Sequence, residues 1–192
     1  MTSQSVRDNV LKGSRLLGFV LIIVAVVFLL LPPMEASAAD ISVTNTDDSG
    51  IGSLRDAINN AVPGDNILFT DLADGSTIIL LSQLIVAKNL NINGPTDKNI
   101  TISGNDLTRV FKIEAASNVS ISNLTIADGY GSEGWGGGIR NDGSLTLINC
   151  KVKENSVLSK TYVGGIYNSG TMNLAYCVVN NNEGGESTTV GL

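Results

Sequence analysis

The stretch that decides the fold is GGGIRNDGSLTLINCKVKEN at residues 136–155, which recurs as VGGIYNSGTMNLAYCVVNNN at residues 163–182, an offset of 27. The positions that match at the start of the two copies are Gly137, Gly138, Ile139 and Asn141, and Gly164, Gly165, Ile166 and Asn168. A repeat of about 20–50 residues is typical of a solenoid, in which each unit buries its apolar side chains against the next.

Apolar and polar residues alternate inside each copy, as in LTL, CKV and MNL. Such alternation predicts strands, because successive side chains on a strand point to opposite faces. We therefore predict three short strands per turn, at about residues 145–147, 150–152 and 165–167. Similar triplets lie upstream, namely ILF at 67, IIL at 78, LIV at 84, LNI at 90, ITI at 100, VFKI at 110, VSI at 119 and LTI at 124.

These triplets together predict an all-β fold, a single-stranded parallel β-helix of four turns and part of a fifth. We expect it to be right-handed, since crossovers between parallel strands generally are.

The segment before the first triplet predicts a cap for this coil. ISVTN at residue 41 has the pattern of a strand, and SLRDAINNA at residue 53 places apolar residues at helical spacing until Pro63. A short amphipathic helix laid across the first turn would cover its open edge. We assign residues 40–66 to this strand and capping helix, and residues 67–192 to the β-helix turns.

The other end of the coil has no comparable cap in the sequence. TYVGG at residue 161 recurs as TTVGL at residue 188, so the chain stops as its next turn begins, as a truncated fragment would. Unpaired strand edges invite further pairing, so we expect either additional β-helix turns or self-association at this end. The apolar residues expected to line the uncovered face are Met172, Leu174, Cys177 and Val179.

The first 39 residues have the pattern of a secretory signal peptide. Arg7, Lys12 and Arg15 precede an uncharged apolar run over residues 16–31, and the small-residue stretch ASAAD follows. An uncleaved membrane anchor is the alternative, but the run is shorter than the roughly 20 residues that span a bilayer. We therefore expect residues 1–39 to be removed on export.

Charge and cysteine content limit the classes of function. The formal net charge is −6, which argues against nucleic-acid binding, where Lys and Arg neutralise phosphates. The chain contains no histidine, the usual imidazole base and metal ligand. Cys150 and Cys177 occupy the same slot in the two copies. Stacked slots lie about 4.8 Å apart, whereas the Cβ atoms of a disulfide are about 3.8 Å apart, so we favour two stacked thiols over a disulfide.

Two pairs of asparagines also share slots in the repeat. Asn141 should stack on Asn168, and Asn155 on Asn182, as amide ladders that stabilise stacked strands. Binding of a sugar by these amides is the alternative interpretation.

The opening block ISVTNTDDSGIGSLRDAINNAVPGDNILF, the segments LNINGP and ITISGN, and the GGIxN…LxLxxCxV turns resemble a known family. They are similar to secreted bacterial right-handed parallel β-helix proteins of the polymorphic outer membrane protein and cell-surface adhesin type, over about residues 41–192. The resemblance implies an exported adhesive scaffold of the cell surface, outer membrane or extracellular space. It implies host-cell, matrix or glycan surfaces as partners, and it supplies no catalytic residue and no cofactor. The matched Gly, Ile and Asn positions are architectural.

The alternative function is a carbohydrate-active β-helix enzyme, a polysaccharide lyase or hydrolase whose site lies in missing turns. Such chemistry requires paired carboxylates, or carboxylates that bind calcium beside a basic residue. Asp142 and Glu154 become Ser169 and Asn181 in the next copy, so no acidic stack is kept. We therefore predict no catalytic or metal site. The carboxylates considered for one are Asp47, Asp48, Asp71, Asp74, Asp128, Asp142 and Glu154.

Overall fold

The computed structural model describes residues 37–132, 134–159, 161–184 and 190–191. Residues 38–192 belong to one compact unit, and every element below lies in it. Residues 1–36 of the predicted signal peptide, residues 1–39, lie outside the described residues.

Three parallel sheets form the sides of the coil. Sheet A consists of β1 (Asp40–Val43), β2 (Asn66–Phe69), β5 (Leu90–Asn93), β8 (Asn118–Ser122), β12 (Ser144–Ile148) and β16 (Thr171–Ala175). Sheet B consists of β3 (Thr77–Ile79), β6 (Ile100–Ser103), β9 (Leu124–Ala127), β13 (Lys151–Lys153) and β17 (Val178–Asn180). Sheet C consists of β4 (Leu84–Val86), β7 (Phe111–Ile113), β11 (Ile139–Asn141), β15 (Ile166–Asn168) and β18 (Val190–Gly191). A small fourth sheet pairs β10 (Tyr130–Gly131) with β14 (Ser156–Val157).

Each turn of the coil contributes one strand to each main sheet, so every strand pairs in parallel with its counterpart one turn away. On sheet A, Leu90 pairs with Val119, Val119 with Leu145, and Leu145 with Met172. The chain therefore advances 29, 26 and then 27 residues without losing register. The predicted parallel β-helix of about five turns is confirmed.

The core is built from the inward-facing residues of the three sheets. Ile92, Ile121 and Leu147 form one column on sheet A and have no accessible surface. Ile102, Ile126 and Val152 form a matching column on sheet B. The side chains that alternate with them face outward, and these are polar residues together with the exposed Ile79, Ile85 and Ile148.

Two kinds of corner residue adopt the left-handed conformation and bend the chain between strands. Asn123, Asn149 and Tyr176 have φ of 53–57° in the corner between sheets A and B. Asp128, Glu154 and Asn181 have φ of 51–58° directly after the sheet B strands. Asparagine and aspartate tolerate this conformation best among non-glycine residues, which explains their recurrence at these corners.

The predicted capping helix is present as α1 (Leu54–Asn60). Ser53 is its N-cap, and the Ser53 hydroxyl accepts a hydrogen bond from the Asp56 N–H at 3.1 Å. Leu54, Ala57 and Ile58 are buried, and the helix packs against β1 and β2. Within the described residues α1 is the sole helix, and no helix there reaches the length and apolarity of a membrane span.

Two details differ from the sequence-based expectation. The strand predicted at residues 150–152 is β13 at Lys151–Lys153, because Cys150 belongs with the left-handed Asn149 to the corner that follows β12. The pair β10 and β14 lies between sheets B and C, where the Gly-rich sequence showed no alternation that would indicate strands.

Candidate functional site

The matched glycines of the repeat lie where successive turns of backbone almost touch. A Cβ on Gly137 would lie 2.1 Å from the Ser156 carbonyl oxygen, and one on Gly164 would lie 2.1 Å from that of Glu183. Gly138 and Gly165 sit beside them, and the amide of Gly138 donates to the Gly165 carbonyl at 3.1 Å. A side chain at either clashing position would force neighbouring turns apart, so these residues build the coil.

The remaining matched residues are inside the coil. Ile139 and Ile166 are register partners and have no accessible surface. The Asn141 amide donates to Asn168 Oδ1 at 2.5 Å and to the Thr171 carbonyl at 2.9 Å. The eight repeat residues therefore offer little surface to a ligand.

The second predicted amide pair is also internal. Asn155 Nδ2 donates to Asn182 Oδ1 at 2.9 Å, and Asn155 Oδ1 accepts from the Gly129 N–H at 2.8 Å. At most 6% of Asn155 or Asn182 is exposed. These contacts favour the ladder interpretation over sugar binding at this position, because the amides are already used and water is excluded.

Three of the candidate carboxylates, Asp48, Asp142 and Glu154, are occupied by structural partners on separate parts of the coil. Asp48 accepts from Arg55 at 2.6 Å, and Arg55 also donates to the carbonyls of Ser82 and Gln83, so this pair ties α1 to the corner before β4. Asp142 accepts from Arg140 at 2.9 Å and from Ser169 at 2.6 Å. Glu154 pairs with the adjacent Lys153 at 2.7 Å.

The pKa directions of these carboxylates agree with structural roles. Burial raises the pKa of Asp142, but the hydrogen bonds from Ser169 and Arg140 outweigh it and leave the pKa below its ordinary value. Burial likewise opposes ionisation of Asp48, yet the Arg55 hydrogen bond and the Leu81 N–H bring its pKa below the ordinary value. Neither carboxyl group is therefore tuned toward a proton donor at neutral pH, the property a general acid needs.

Metal binding finds little support in the described part of the chain. No cluster of three or more Cys, Asp and Glu side chains that could hold an ion occurs there. The two cysteines are free thiols, with Cys150 buried and Cys177 half-buried. Burial raises the pKa of Cys150 to about 11, so this thiol is protonated and a poor ligand or nucleophile at neutral pH.

An aromatic cluster on the outside of sheet C serves the fold. The Trp135 ring lies 4.7 Å from that of Tyr162 and 4.6 Å from that of Tyr167. A Cβ on Gly134 would lie 2.5 Å from the Tyr162 ring, so loop backbone and ring are in direct contact. The Arg109 guanidinium also donates to the Trp135 carbonyl at 3.1 Å. These contacts hold the loop before β11 against the next turn.

A surface depression remains at the corner between sheets A and B, and we call it the corner groove. Its volume is about 220 Å³. It is lined by Pro95, Thr96, Lys98, Asn99, Ile100, Asn123, Leu124, Thr125, Asn149 and Lys151.

The corner groove exists because the corners of successive turns differ in length. Six residues, 94–99, connect β5 to β6, whereas Asn123 alone connects β8 to β9. Only Asn149 and Cys150 connect β12 to β13. The longer loop forms one wall, and the outer faces of β9 and β13 form the floor, where Thr125 and Lys151 are register partners.

A third amide ladder runs along the edge of the corner groove. Asn149 Nδ2 donates to Asn123 Oδ1 at 2.9 Å, and Asn123 Nδ2 donates to the Gly94 carbonyl at 3.0 Å. The 27-residue repeat did not reveal this ladder. In the next copy Tyr176 replaces Asn149 and Val178 replaces Lys151, so the column of asparagines is not continued. The feature of the sequence that could have indicated the groove is the unequal spacing of the apolar triplets, which reflects corners of different length.

Comparison of the chain with protein-family models, with curated proteins and with solved structures finds no match.

Proposed function

We propose that this chain is an exported, non-enzymatic β-helix scaffold of the cell surface or extracellular space, with an adhesive role. One observation supports the proposal: side chains considered as catalytic or sugar-binding groups form ion pairs and hydrogen bonds that stabilise the fold. The carboxylates Asp48, Asp142 and Glu154 pair with Arg55, Arg140 and Lys153, and the buried asparagines hydrogen-bond to each other. What the coil offers to other molecules is the outer surface of its sheets and corners.

Export and the surface location rest on the sequence pattern of residues 1–39 and on the resemblance to polymorphic outer membrane proteins and adhesins. The test is expression of the full chain in a secretion-competent bacterium, followed by fractionation and mass measurement of the product. Loss of about 39 residues and recovery outside the inner membrane would support export. Retention of the full mass in the inner-membrane fraction would support an uncleaved anchor.

Adhesion is tested with the same exported product. Bacteria that display the chain, or beads coated with it, should be retained on epithelial cells or extracellular matrix more than beads coated with an unrelated β-helix. Equal retention of the two kinds of bead would contradict an adhesive role.

The enzymatic alternative is tested separately. The purified chain is incubated with acidic and neutral polysaccharides, and unsaturated and reducing ends are measured. We expect no release of either. Release that increases with protein concentration would overturn the scaffold proposal in favour of a lyase or a hydrolase.

The edge strands β16 and β17 are a proposed site of self-association or of stacking with further β-helix turns. Each has a strand partner on one side only in the described part of the coil. Met172, Cys177 and Val179 are only partly buried there, and Leu174 is 37% exposed. Unpaired edges with apolar neighbours favour pairing with another strand.

A further inference from the structure

We propose that the corner groove binds an acidic polysaccharide, one that carries carboxylate or sulfate groups, with Lys151 as its main charged contact. This inference deepens the adhesive function proposed above and rests on it. It names the class of ligand and the place on the coil where that ligand lies.

The polar groups on the floor of the corner groove are available to a ligand. The Lys151 side chain is exposed and makes no ion pair or hydrogen bond with another described residue. The hydroxyl of its register partner Thr125 likewise has no partner among the described residues. Asn149 uses Nδ2 in the corner ladder, which leaves its Oδ1 as a free acceptor at the edge. Hydroxyl, amide and ammonium groups side by side match the donors and acceptors of a sugar polymer.

The electrostatics of the corner groove favour an anion, although the chain as a whole is acidic. Its lining contains Lys98 and Lys151 and no carboxylate. Lys98 donates to the Leu72 carbonyl at 2.9 Å, so its ammonium group is held against the preceding turn, where its charge also lowers the pKa of Asp74. Two carboxylates lie close to this lining: Asp74 is engaged by Asn99 through both its N–H and its amide, at 2.6 and 3.1 Å, and the exposed Asp97 lies on the loop that forms the wall. Lys151 is therefore the cation of this lining that no described protein group engages, and it can contact one anionic group of a ligand.

The shape of the corner groove favours an extended polymer over a compact small molecule. Its walls and floor come from three successive turns of the coil, and Thr96, Asn149 and Lys151 are exposed. Small-molecule sites are usually concave and largely apolar, whereas this depression is shallow and polar. A nucleic acid fits poorly, because its backbone requires many cations and the lining supplies two.

The strand β13 provides a matched pair of variants for the test. Lys151 and Lys153 both face outward from this strand, but Lys153 is paired with Glu154 and does not line the corner groove. Lys151→Gln and Lys153→Gln therefore remove the same charge two residues apart. Neither side chain is in the core, so both variants should fold, and circular dichroism with thermal unfolding checks this.

Binding of the full chain is measured against immobilised polygalacturonate, heparan sulfate and neutral dextran over a range of salt concentrations. We expect binding to at least one acidic polymer, no binding to dextran, and weaker binding at higher salt. Lys151→Gln should raise the dissociation constant about fivefold or more, since a charge-assisted contact is lost. Lys153→Gln should change it by less than about twofold. The two acidic polymers separate recognition of carboxylate from recognition of sulfate.

Two results would overturn the inference, and a third would overturn the function on which it rests. Equal effects of the two substitutions would show non-specific attraction to the surface. No binding to any acidic polymer by a chain that still adheres to cells would leave the adhesive function standing and remove this ligand class. Cleavage of a bound polymer would instead contradict the proposed function itself.

Discussion

Three residues with positive φ bend the chain at the same corner of three successive turns. Asn123 and Asn149 occupy this position with φ of 56° and 53°, and Tyr176 occupies it with φ of 57°. Asparagine adopts this conformation with little cost, while for most other residues it costs about 1 kcal/mol or more. Tyr176 is 90% exposed, so its ring contributes little burial in return.

Replacing Tyr176 with asparagine should therefore stabilise the coil. We expect Tyr176→Asn to raise the free energy of unfolding by about 1 kcal/mol, because asparagine suits the corner and can extend the ladder from Asn149. The measurement is urea unfolding followed by circular dichroism. Tyr176→Ala is the control and should give no such gain, since alanine also disfavours positive φ. An equal change in the two variants would contradict this explanation of the corner.

The Cys150 thiol makes the free energy of unfolding depend on pH in the alkaline range. Its pKa is about 11 in the folded chain, because burial raises it from the ordinary thiol value of 9.0. The folded state thus favours the protonated thiol. The stabilisation is fully present below pH 9.0 and is lost as the pH rises through about 11.

The expected loss is roughly 2 kcal/mol between pH 9 and pH 11, relative to a chain that lacks this thiol. The measurement compares the unfolding free energies of the wild type and Cys150→Ala at several pH values. All other ionisable groups are common to both proteins, so their effects cancel in the difference. Parallel pH profiles for the two proteins would show that the buried thiol does not control the transition.

At the residue scale, the sequence identified which side chains stack but not how each stack is used. The offset of 27 correctly placed Asn141 on Asn168 and Asn155 on Asn182. It did not show the Asn123–Asn149 ladder, because Tyr176 breaks the column after two turns. A buried ladder stabilises the core, whereas an exposed ladder lies along the edge of a groove. The length of the neighbouring loops determines whether the ladder is exposed.

At the scale of single elements, α1 depends on its N-cap for local stability. The Ser53 side chain has no accessible surface, accepts from the Asp56 N–H at 3.1 Å and donates to the Gly50 carbonyl at 2.8 Å. A helix of seven residues has little stability by itself, so its cap and its buried face must hold it on the first turn.

Ser53→Ala should lower the free energy of unfolding by about 1 kcal/mol, because it removes the cap and leaves the half-buried Asp56 N–H without its hydrogen-bond acceptor. Asn59→Ala is the matched control on the exposed face of the same helix, and we expect a change of less than about 0.5 kcal/mol. Urea unfolding of both variants provides the measurement. Similar stability of the two would argue that the cap contributes nothing.

The elements differ in how far the sequence could predict them. Strands were predictable because each apolar triplet supplies two inward residues, and eight upstream triplets became strands at their expected places. The corner groove was not predictable in the same way. The loop of residues 94–99 becomes a wall only because β8 and β12 end in short corners beside it. That relation involves residues 29 positions apart, Gly94 and Asn123, and the register between turns.

On the scale of the whole coil, its two ends differ. The first turn is covered by α1, whose Leu54, Ala57 and Ile58 are buried. At the other end, in the described residues, Leu174, Tyr176 and Val178 are 37%, 90% and 50% exposed. This asymmetry predicts association through β16 and β17 rather than stacking of one end on the other.

Association should therefore depend on Leu174. We expect the mass of the chain in sedimentation experiments to rise with concentration, and Leu174→Lys to reduce that rise, because a charge on an edge strand disfavours pairing. Ser42→Lys is the control, since this exposed position lies on β1 at the capped end. A monodisperse wild-type monomer at high concentration would contradict the prediction.

The central claim about the molecule is that its turns stack in parallel register. One outward column of sheet A contains Asp40, Asn66, Asn91, Ser120, Thr146 and Asn173, one residue from each strand. The sequence separation along this column varies from 25 to 29 residues. The late turns showed their register in the sequence, whereas the early turns required the structure, because their corner loops have unequal lengths.

The most direct test measures distances along this column between nitroxide spin labels by pulsed electron paramagnetic resonance. One label at Asn173 is paired with a second at Asp40 or at Asn66, in a background where both cysteines are alanine. Six strands give five spacings of about 4.8 Å, so stacked turns predict roughly 24 Å for the first pair and roughly 19 Å for the second, apart from a common linker contribution. Broad distributions, or two distances that do not differ by about one strand spacing, would contradict the stacked coil.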